Sequence, residues 1–274
     1  MREITRINPS YSTTRTVTRQ QPVIEKQAED KFEAVLFLPE GEARQGEGGL
    51  RTQGYFKISL ESKPLITVVT VVFNGEKFLE ETIQSIINQT YDNVEYIIID
   101  GDSTDGTLKI INQYKDKIDY WVSEQDRGIF HAMNKGALLA RGDFVYYLNA
   151  GDVFFSDKAL SNVFNSKKIS SQYNLIVGNV LLTLDEQDFG FANRVGLNIP
   201  HQGAFIMRTV FMNIKFNEEL KIFGDASFWL EMERNGLFSP YIIDDVIARF
   251  PMDGVGSDPK YIWLRFKESA NLFL

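Results

Sequence analysis

Between Pro64 and Asp152 the chain alternates between two hydrophobic rhythms. "LITVVTVVF" and "VEYIIID" are continuous apolar, β-branched runs of the kind that fits a strand buried on both faces. Each precedes a stretch with helical spacing: "EKFLEETIQSIINQT" places Leu79, Ile83, Ile86 and Ile87 on one face, and "TLKIINQYK" follows the second run with Ser103, Thr104 or Asp105 as candidate caps. "DYWVSE" predicts a third strand, "GIFHAMNKGALLA" a helix whose end is marked by Gly142, and "DFVYYLNAGD" a further strand closing in a polar turn. Strands alternating with helices predict an α/β fold, a mostly parallel central sheet with helices on both faces. Ligands of such sheets bind at the carboxyl ends of the strands, where every acidic turn of this region falls.

The later half is more mixed. It predicts a strand at "NLIVGNVLL", the segment "HQGAFIMR", a helix at "DASFWLEMERNG" with Gly236 as its C-cap, and a strand at "YIIDDVIARF". The tail "YIWLRFKESANLFL" is aromatic and amphipathic and reads as a packed terminal helix in preference to a membrane-surface contact. Residues 1–60 read as an N-terminal extension, partly irregular, on a main domain at 61–274. Residues 1 to about 30 are polar without sustained period, as in a poorly ordered arm or an oligomer contact. "FEAVLFLPEGEARQGEGGLRTQGYFKISL" then offers a short apolar strand, a Gly/Glu-rich loop and a second strand ending near Leu60.

Composition narrows the class of function. The 274 residues are 43% hydrophobic and 24% charged, ordinary for a soluble globular protein. A net charge of −8 without a basic block argues against nucleic acid as a partner. The absence of cysteine excludes disulfides and thiolate metal sites. No signal peptide is recognisable, and no run approaches the roughly 20 apolar residues of a membrane span, so the expected location is cytoplasmic.

Candidate chemistry begins at "IIIDGDSTDGTLKII", residues 97–111. Started at Asp100, an EF-hand register offers Asp102 and Thr104 but puts Asp105 where glycine is needed and Ile111 where glutamate is needed. Gly101 and Gly106 have the separation of Walker glycines, yet Thr107 stands where the phosphate-reaching lysine belongs. A strand, an acidic turn and a helix survive, with Asp102 and Asp105 as turn and cap residues.

The ordered set "TVVFNGEKFLEETIQSIINQT", "IIIDGDSTDGT", "SEQDRGIFHAMNKGALLARGDFVYYLNAGD" and "HQGAFIMR…FGDASFWLEM" resembles family 2 glycosyltransferases of the GT-A fold, and among them the bacterial enzymes of O-antigen, capsule and exopolysaccharide assembly. The likeness spans about residues 64–257. It implies an αβα nucleotide-binding sandwich in which Val72, Phe73, Asn74 and Glu76 face the donor's base and ribose and Asp100 hydrogen-bonds one of them. Asp126, Arg127 and Gly128, between strand and helix start, would meet the nucleotide or its diphosphate, with Asn134, Asn149, Ala150 and Gly151 completing the donor pocket. Asp152 matches the carboxylate that holds Mg²⁺ or Mn²⁺, and Asn149 and Gly151 depart from the more acidic version of that motif. His201 and Gln202 match a recurrent His-Gln pair near acceptor or diphosphate, with His201 a secondary metal-ligand candidate. Asp225 matches the catalytic base, although at a helix start it also reads as a cap.

The resemblance implies transfer of a sugar, with inversion, from a UDP-linked donor to a lipid-linked glycan at the inner face of the plasma membrane. A homo-oligomer is compatible with it. The alternatives are a nucleotide-sugar-binding module without catalysis and a sugar nucleotidyltransferase, whose Gly-rich basic phosphate loop "VVFNGEKF" does not supply.

Overall fold

The structure is a computed structural model and describes residues 3–23, 35–39, 43–165, 172–185, 187–192, 196–197, 199–252 and 259–273. In chain order the elements are β1 (Gly46–Gly48), β2 (Ile66–Val72), α1 (Leu79–Ile87), β3 (Val94–Asp100), α2 (Thr107–Tyr114), β4 (Tyr120–Ser123), α3 (Ile129–Leu139) and β5 (Phe144–Tyr147). They continue with β6 (Val153–Phe154), α4 (Ala159–Phe164), β7 (Leu175–Leu184), β8 (Gln187–Phe191), β9 (Ala204–Met207), α5 (Gly224–Arg234), β10 (Pro240–Pro251) and α6 (Ile262–Phe273).

One sheet runs in the order β1-β4-β3-β2-β5-β9-β7-β10-β6, with β8 paired to β7. The central β4, β3, β2 and β5 are mutually parallel, as the alternating pattern requires. β9 runs antiparallel between β5 and β7, so the sheet is mixed but largely parallel. Every residue of β2 and β3 is buried, which explains their unbroken apolar sequence. The pleat divides them: Val69, Val71, Ile97 and Ile99 pack with Met133, Phe228 and Trp229 of α3 and α5, while Val68, Val72 and Ile98 pack with Leu79, Ile83 and Leu160 of α1 and α4. Helices thus cover both faces, giving the expected αβα sandwich.

Local differences from the sequence reading have steric causes. Helix α3 ends at Leu139, and Gly142 serves close approach, because a Cβ there would stand 2.6 Å from the Thr67 backbone nitrogen. The Gly/Glu-rich segment read as a loop contains strand β1, which pairs antiparallel with β4. Glycine is needed there because a Cβ on Gly48 would lie 2.8 Å from the Trp121 indole nitrogen. Residues 35–39 are not a strand, and residues 32–34 of that expected strand lie outside the described residues. Residues 3–23 are packed, not a loose arm: Ser12, Thr13, Thr14 and Val17 are buried, and Ser12 donates both its backbone N–H and its hydroxyl to carbonyls at the end of α1.

A buried ionic network fastens the described part of the N-terminal extension to the amino ends of β3 and β4. The Arg51 guanidinium pairs with Glu95 at 2.7 Å and donates to the Leu36 and Leu139 carbonyls, while the Lys57 ammonium donates to the Thr13 carbonyl and lies 3.9 Å from Asp119. Burial works to raise the Glu95 pKa, but the adjacent guanidinium prevails and holds it below the ordinary value. Arg51→Ala strands that carboxylate in the core and is expected to destabilise by roughly 3–5 kcal/mol, read as a lowered urea midpoint in far-UV circular dichroism.

Candidate active site

The crossover connections diverge between β2 and β5, which opens a crevice at the carboxyl ends of these strands. On one side stand the turns after β2 and β3. Asp100 has no exposed surface: its carboxylate accepts from the Ser103 backbone N–H at 3.1 Å, the Ser123 hydroxyl at 2.6 Å and the Ser103 hydroxyl. Asn74 and Asp102 take left-handed backbone angles (φ 51° and 71°), which suits short polar side chains in tight turns. The Asn74 Oδ1 accepts from the Thr104 N–H, the Glu76 carboxylate accepts from the Gly106 N–H, and Asp105 accepts from the N–H groups of Glu76 and Thr107. The two turns are therefore locked to each other. Val72 is buried beneath them, while Phe73 keeps 65% of its surface exposed at the mouth.

The segment after β4 forms a second wall. Asp126 lies against Gly101, where a Cβ would approach its Oδ2 to 2.4 Å, and accepts from the Gly128 N–H at 2.8 Å. The exposed Arg127 guanidinium pairs with Glu218, and its backbone N–H donates to the His131 ring. Asn134 is buried and fully engaged, donating to the Phe216 carbonyl and Glu218 and accepting from the Phe216 N–H. Glu218 in turn pairs with Arg127.

The turn after β5 and the start of α5 meet through the 3-10 turn His201–Gly203. Asp225 Oδ2 accepts from the His201 ring Nδ1 at 2.8 Å and from its backbone N–H at 3.2 Å. The other ring nitrogen lies 3.0 Å from the Asn149 amide nitrogen, an arrangement that fits a ring donating through Nδ1–H and accepting through Nε2. Gln202 donates to Asp152 at 3.0 Å, and the Thr82 hydroxyl holds the turn by donating to the Asp152 carbonyl and accepting from the Gly151 N–H. Asp152, Asn149, His201, Gln202 and Asp225 thus form one connected polar cluster, with Ala150 and Gly151 part-buried between the two ends of its turn. A Cβ on Gly224 would come within 2.2 Å of the Phe130 ring, so glycine lets the start of α5 approach α3 and brings Asp225 to this place.

The electrostatics of the cluster are those of a site short of positive charge. Burial raises the Asp152 pKa to about 6, with Asp225 adding repulsion and the charge of His201 and the Gln202 hydrogen bond opposing it. At His201 burial favours the neutral ring, but the carboxylates of Asp225 and Asp152 outweigh it and raise the pKa. Among the described residues the Asp225 Oδ1 has no hydrogen-bond partner, and its side chain is 24% exposed.

Two features fit a divalent cation here. The Asn149 Oδ1 is buried and among the described residues accepts no hydrogen bond, and burial raises the pKa of the Asp152 carboxylate on the same turn. Among the described residues no three His, Cys, Asp or Glu side chains gather as a metal group. One carboxylate and one amide oxygen suit Mg²⁺ or Mn²⁺ completed by substrate phosphates and water. His201, the secondary ligand candidate, has both ring nitrogens engaged.

The site contacts of several supporting residues escaped the sequence reading, in which Ser103 stood only as a candidate cap. Ser103 and Ser123 saturate Asp100, Glu218 couples Arg127 to Asn134, and Glu268 accepts from the N–H groups of Lys221, Ile222 and Phe223 just before α5. Ser103 carried a local signal, three residues after Asp100. The others come from distant segments and carried none.

The profile of glycosyl transferase family 2 matches residues 67–217. An uncharacterized glycosyltransferase of Haemophilus influenzae is 30% identical over 225 residues, covering 71% of this chain and 68% of that protein. Among solved structures, mannosyltransferase PcManGT from Pyrobaculum calidifontis in complex with GDP-Man and Mn²⁺ superposes with a TM-score of 0.58 at 18% identity, over 71% of this chain. S. aureus TarS 1-349 in complex with UDP-GlcNAc superposes with a TM-score of 0.55 at 17% identity, over 72% of this chain. The chain spans about three fifths of the length of these two structures, 59% and 62%. A matched family profile over more than half of the sequence, on the GT-A-like sandwich described above, makes the chain a member of glycosyl transferase family 2.

Proposed function

We propose that this glycosyltransferase moves a sugar from a UDP-linked donor, with inversion, to a hydroxyl of a lipid-linked glycan in surface polysaccharide assembly, with Asp225 as general base. The observation that carries the reading is the Asp225 carboxylate: His201 fixes one oxygen, and among the described residues the other has no hydrogen-bond partner on a side chain that is 24% exposed. A carboxylate so held can take the acceptor's proton while the acceptor oxygen attacks the anomeric carbon and the nucleoside diphosphate departs with the bonding electrons. The His201 N–H groups orient Asp225, and Asn149 in turn orients the ring. A divalent cation, when bound by Asp152 and the Asn149 amide oxygen, screens charge on the departing diphosphate. Ribose and base would lie over the locked turns of Asn74 and Ser103, beside exposed Phe73, with Asp100 and Glu76 shaping the turns and Arg127 and Gly128 bordering the diphosphate.

The complexes of PcManGT with GDP-Man and Mn²⁺ and of TarS with UDP-GlcNAc support a nucleotide-sugar donor and a metal. Among the described residues no helix is long and apolar enough to cross a membrane. Calorimetry with UDP and GDP, each with and without Mn²⁺, followed by hydrolysis of UDP-, GDP- and dTDP-sugars, tests the donor half. The expected result is UDP binding that tightens at least tenfold with Mn²⁺ and slow hydrolysis of one UDP-sugar. A preference for GDP overturns the UDP assignment, and binding without turnover of any donor overturns the catalytic one.

A further inference from the structure

We infer that helix α6 seats the enzyme on a lipid surface bearing acidic headgroups, with the face that carries Ile262, Trp263 and Phe266. These three residues keep 50%, 82% and 65% of their surface exposed, and the Trp263 and Phe266 rings lie together at 6.3 Å. The spacing i, i+1, i+4 puts them on one side of the helix, joined by exposed Lys267 and preceded by exposed Lys260. The helix's single acid, Glu268, turns the other way: it is buried, and its carboxylate accepts from the N–H groups of Lys221, Ile222 and Phe223. A chain of net charge −8 therefore presents here an aromatic face with basic neighbours and no exposed carboxylate on the helix. Indole and phenyl rings beside lysines match the headgroup level of a bilayer, where the rings enter the acyl boundary and the ammonium groups meet phosphates.

The hydrogen bonds of Glu268 end at residue 223, two positions before Asp225. A helix resting on the bilayer would thus stand one turn of backbone from the proposed base, where a lipid-linked acceptor arrives. This deepens the acceptor half of the proposed function and rests on it for its purpose, while surface binding itself requires no sugar transfer.

The full chain is mixed with vesicles of phosphatidylcholine alone or with 30% phosphatidylglycerol (about one lipid in three anionic, enough for a strongly negative surface), then sedimented, with tryptophan emission recorded. Trp121 and Trp229 are buried, so a change on mixing reports Trp263. The expected result is sedimentation of the wild type with the anionic vesicles and a blue shift of its emission, the sedimentation reduced at least tenfold in Trp263→Ala/Phe266→Ala, with Lys260→Glu/Lys267→Glu losing the preference for acidic lipid. No partition of the wild type, or equal partition of the first variant, overturns the inference. So does a dimer in sedimentation velocity that the first variant abolishes. UDP affinity, expected unchanged in both variants, separates this outcome from failure of the donor assignment.

Discussion

Asp225→Asn is expected to lower kcat for sugar transfer by about 10³-fold, within the 10²–10⁴ range typical of general-base removal, while leaving the affinity for donor nucleotide within twofold. Asparagine is isosteric and keeps an oxygen to accept from the His201 ring and backbone N–H groups, so the start of α5 should hold its position. What disappears is the capacity to bind the acceptor's proton at the oxygen that His201 leaves free. Steady-state transfer kinetics and calorimetry with UDP read the two halves separately. Unchanged turnover removes Asp225 from the base role, and a parallel loss of nucleotide affinity would point to collapse of the His201 cluster instead.

The second large effect combines a loss with a gain. Asp152→Asn is expected to abolish most of the Mn²⁺ enhancement of UDP binding, on the order of 100-fold, by removing the carboxylate proposed to hold the cation. Without donor the same substitution should stabilise the fold at pH 8. The native carboxyl holds its proton up to about pH 6, above its unfolded value, so ionising it in the folded protein costs stability as pH rises from about 4 to about 6. A separation of roughly two pKa units corresponds to an upper bound of about 3 kcal/mol regained, which for a domain of this size raises Tm by about 5 °C. His201 acts in the same sense, because a raised histidine pKa gives stability below its unfolded value that is lost as pH passes the folded one. Thermal melts of the wild type should therefore fall from pH 5 to pH 8 and flatten in the variant. A variant less stable at pH 8 would mean that the Asp152 charge is already compensated within the chain. A site strained in this way for its ligand is the expected compromise between stability and activity.

Legibility of the fold tracked how local its physics is. β2, β3, α1 and α2 were readable because each is specified by its own run: seven consecutive buried residues for each strand, and one apolar stripe for each helix. β1 was not, because its three residues include two glycines whose reason is the Trp121 ring more than seventy positions away. The packing of residues 3–23 escaped for a related reason. Its buried residues are largely Ser and Thr, whose hydroxyls and backbone find partners such as the end of α1 only after the chain has folded.

The same division runs through the site. The sequence by itself determined the parallel core, the crevice at the strand ends and the carboxylates that reach its turns, because hydrophobic period and turn chemistry are short-range properties. Only the tertiary structure decided what those carboxylates touch. It engaged Asp100 with two serines, turned Asn134 toward Glu218, and joined Asp152 to Asp225 through His201, Gln202 and Asn149. Hydrogen bonding and desolvation act over a few ångströms of space between residues up to about eighty positions apart in the chain, and such distances exist only once the sheet has brought the ends of its strands together.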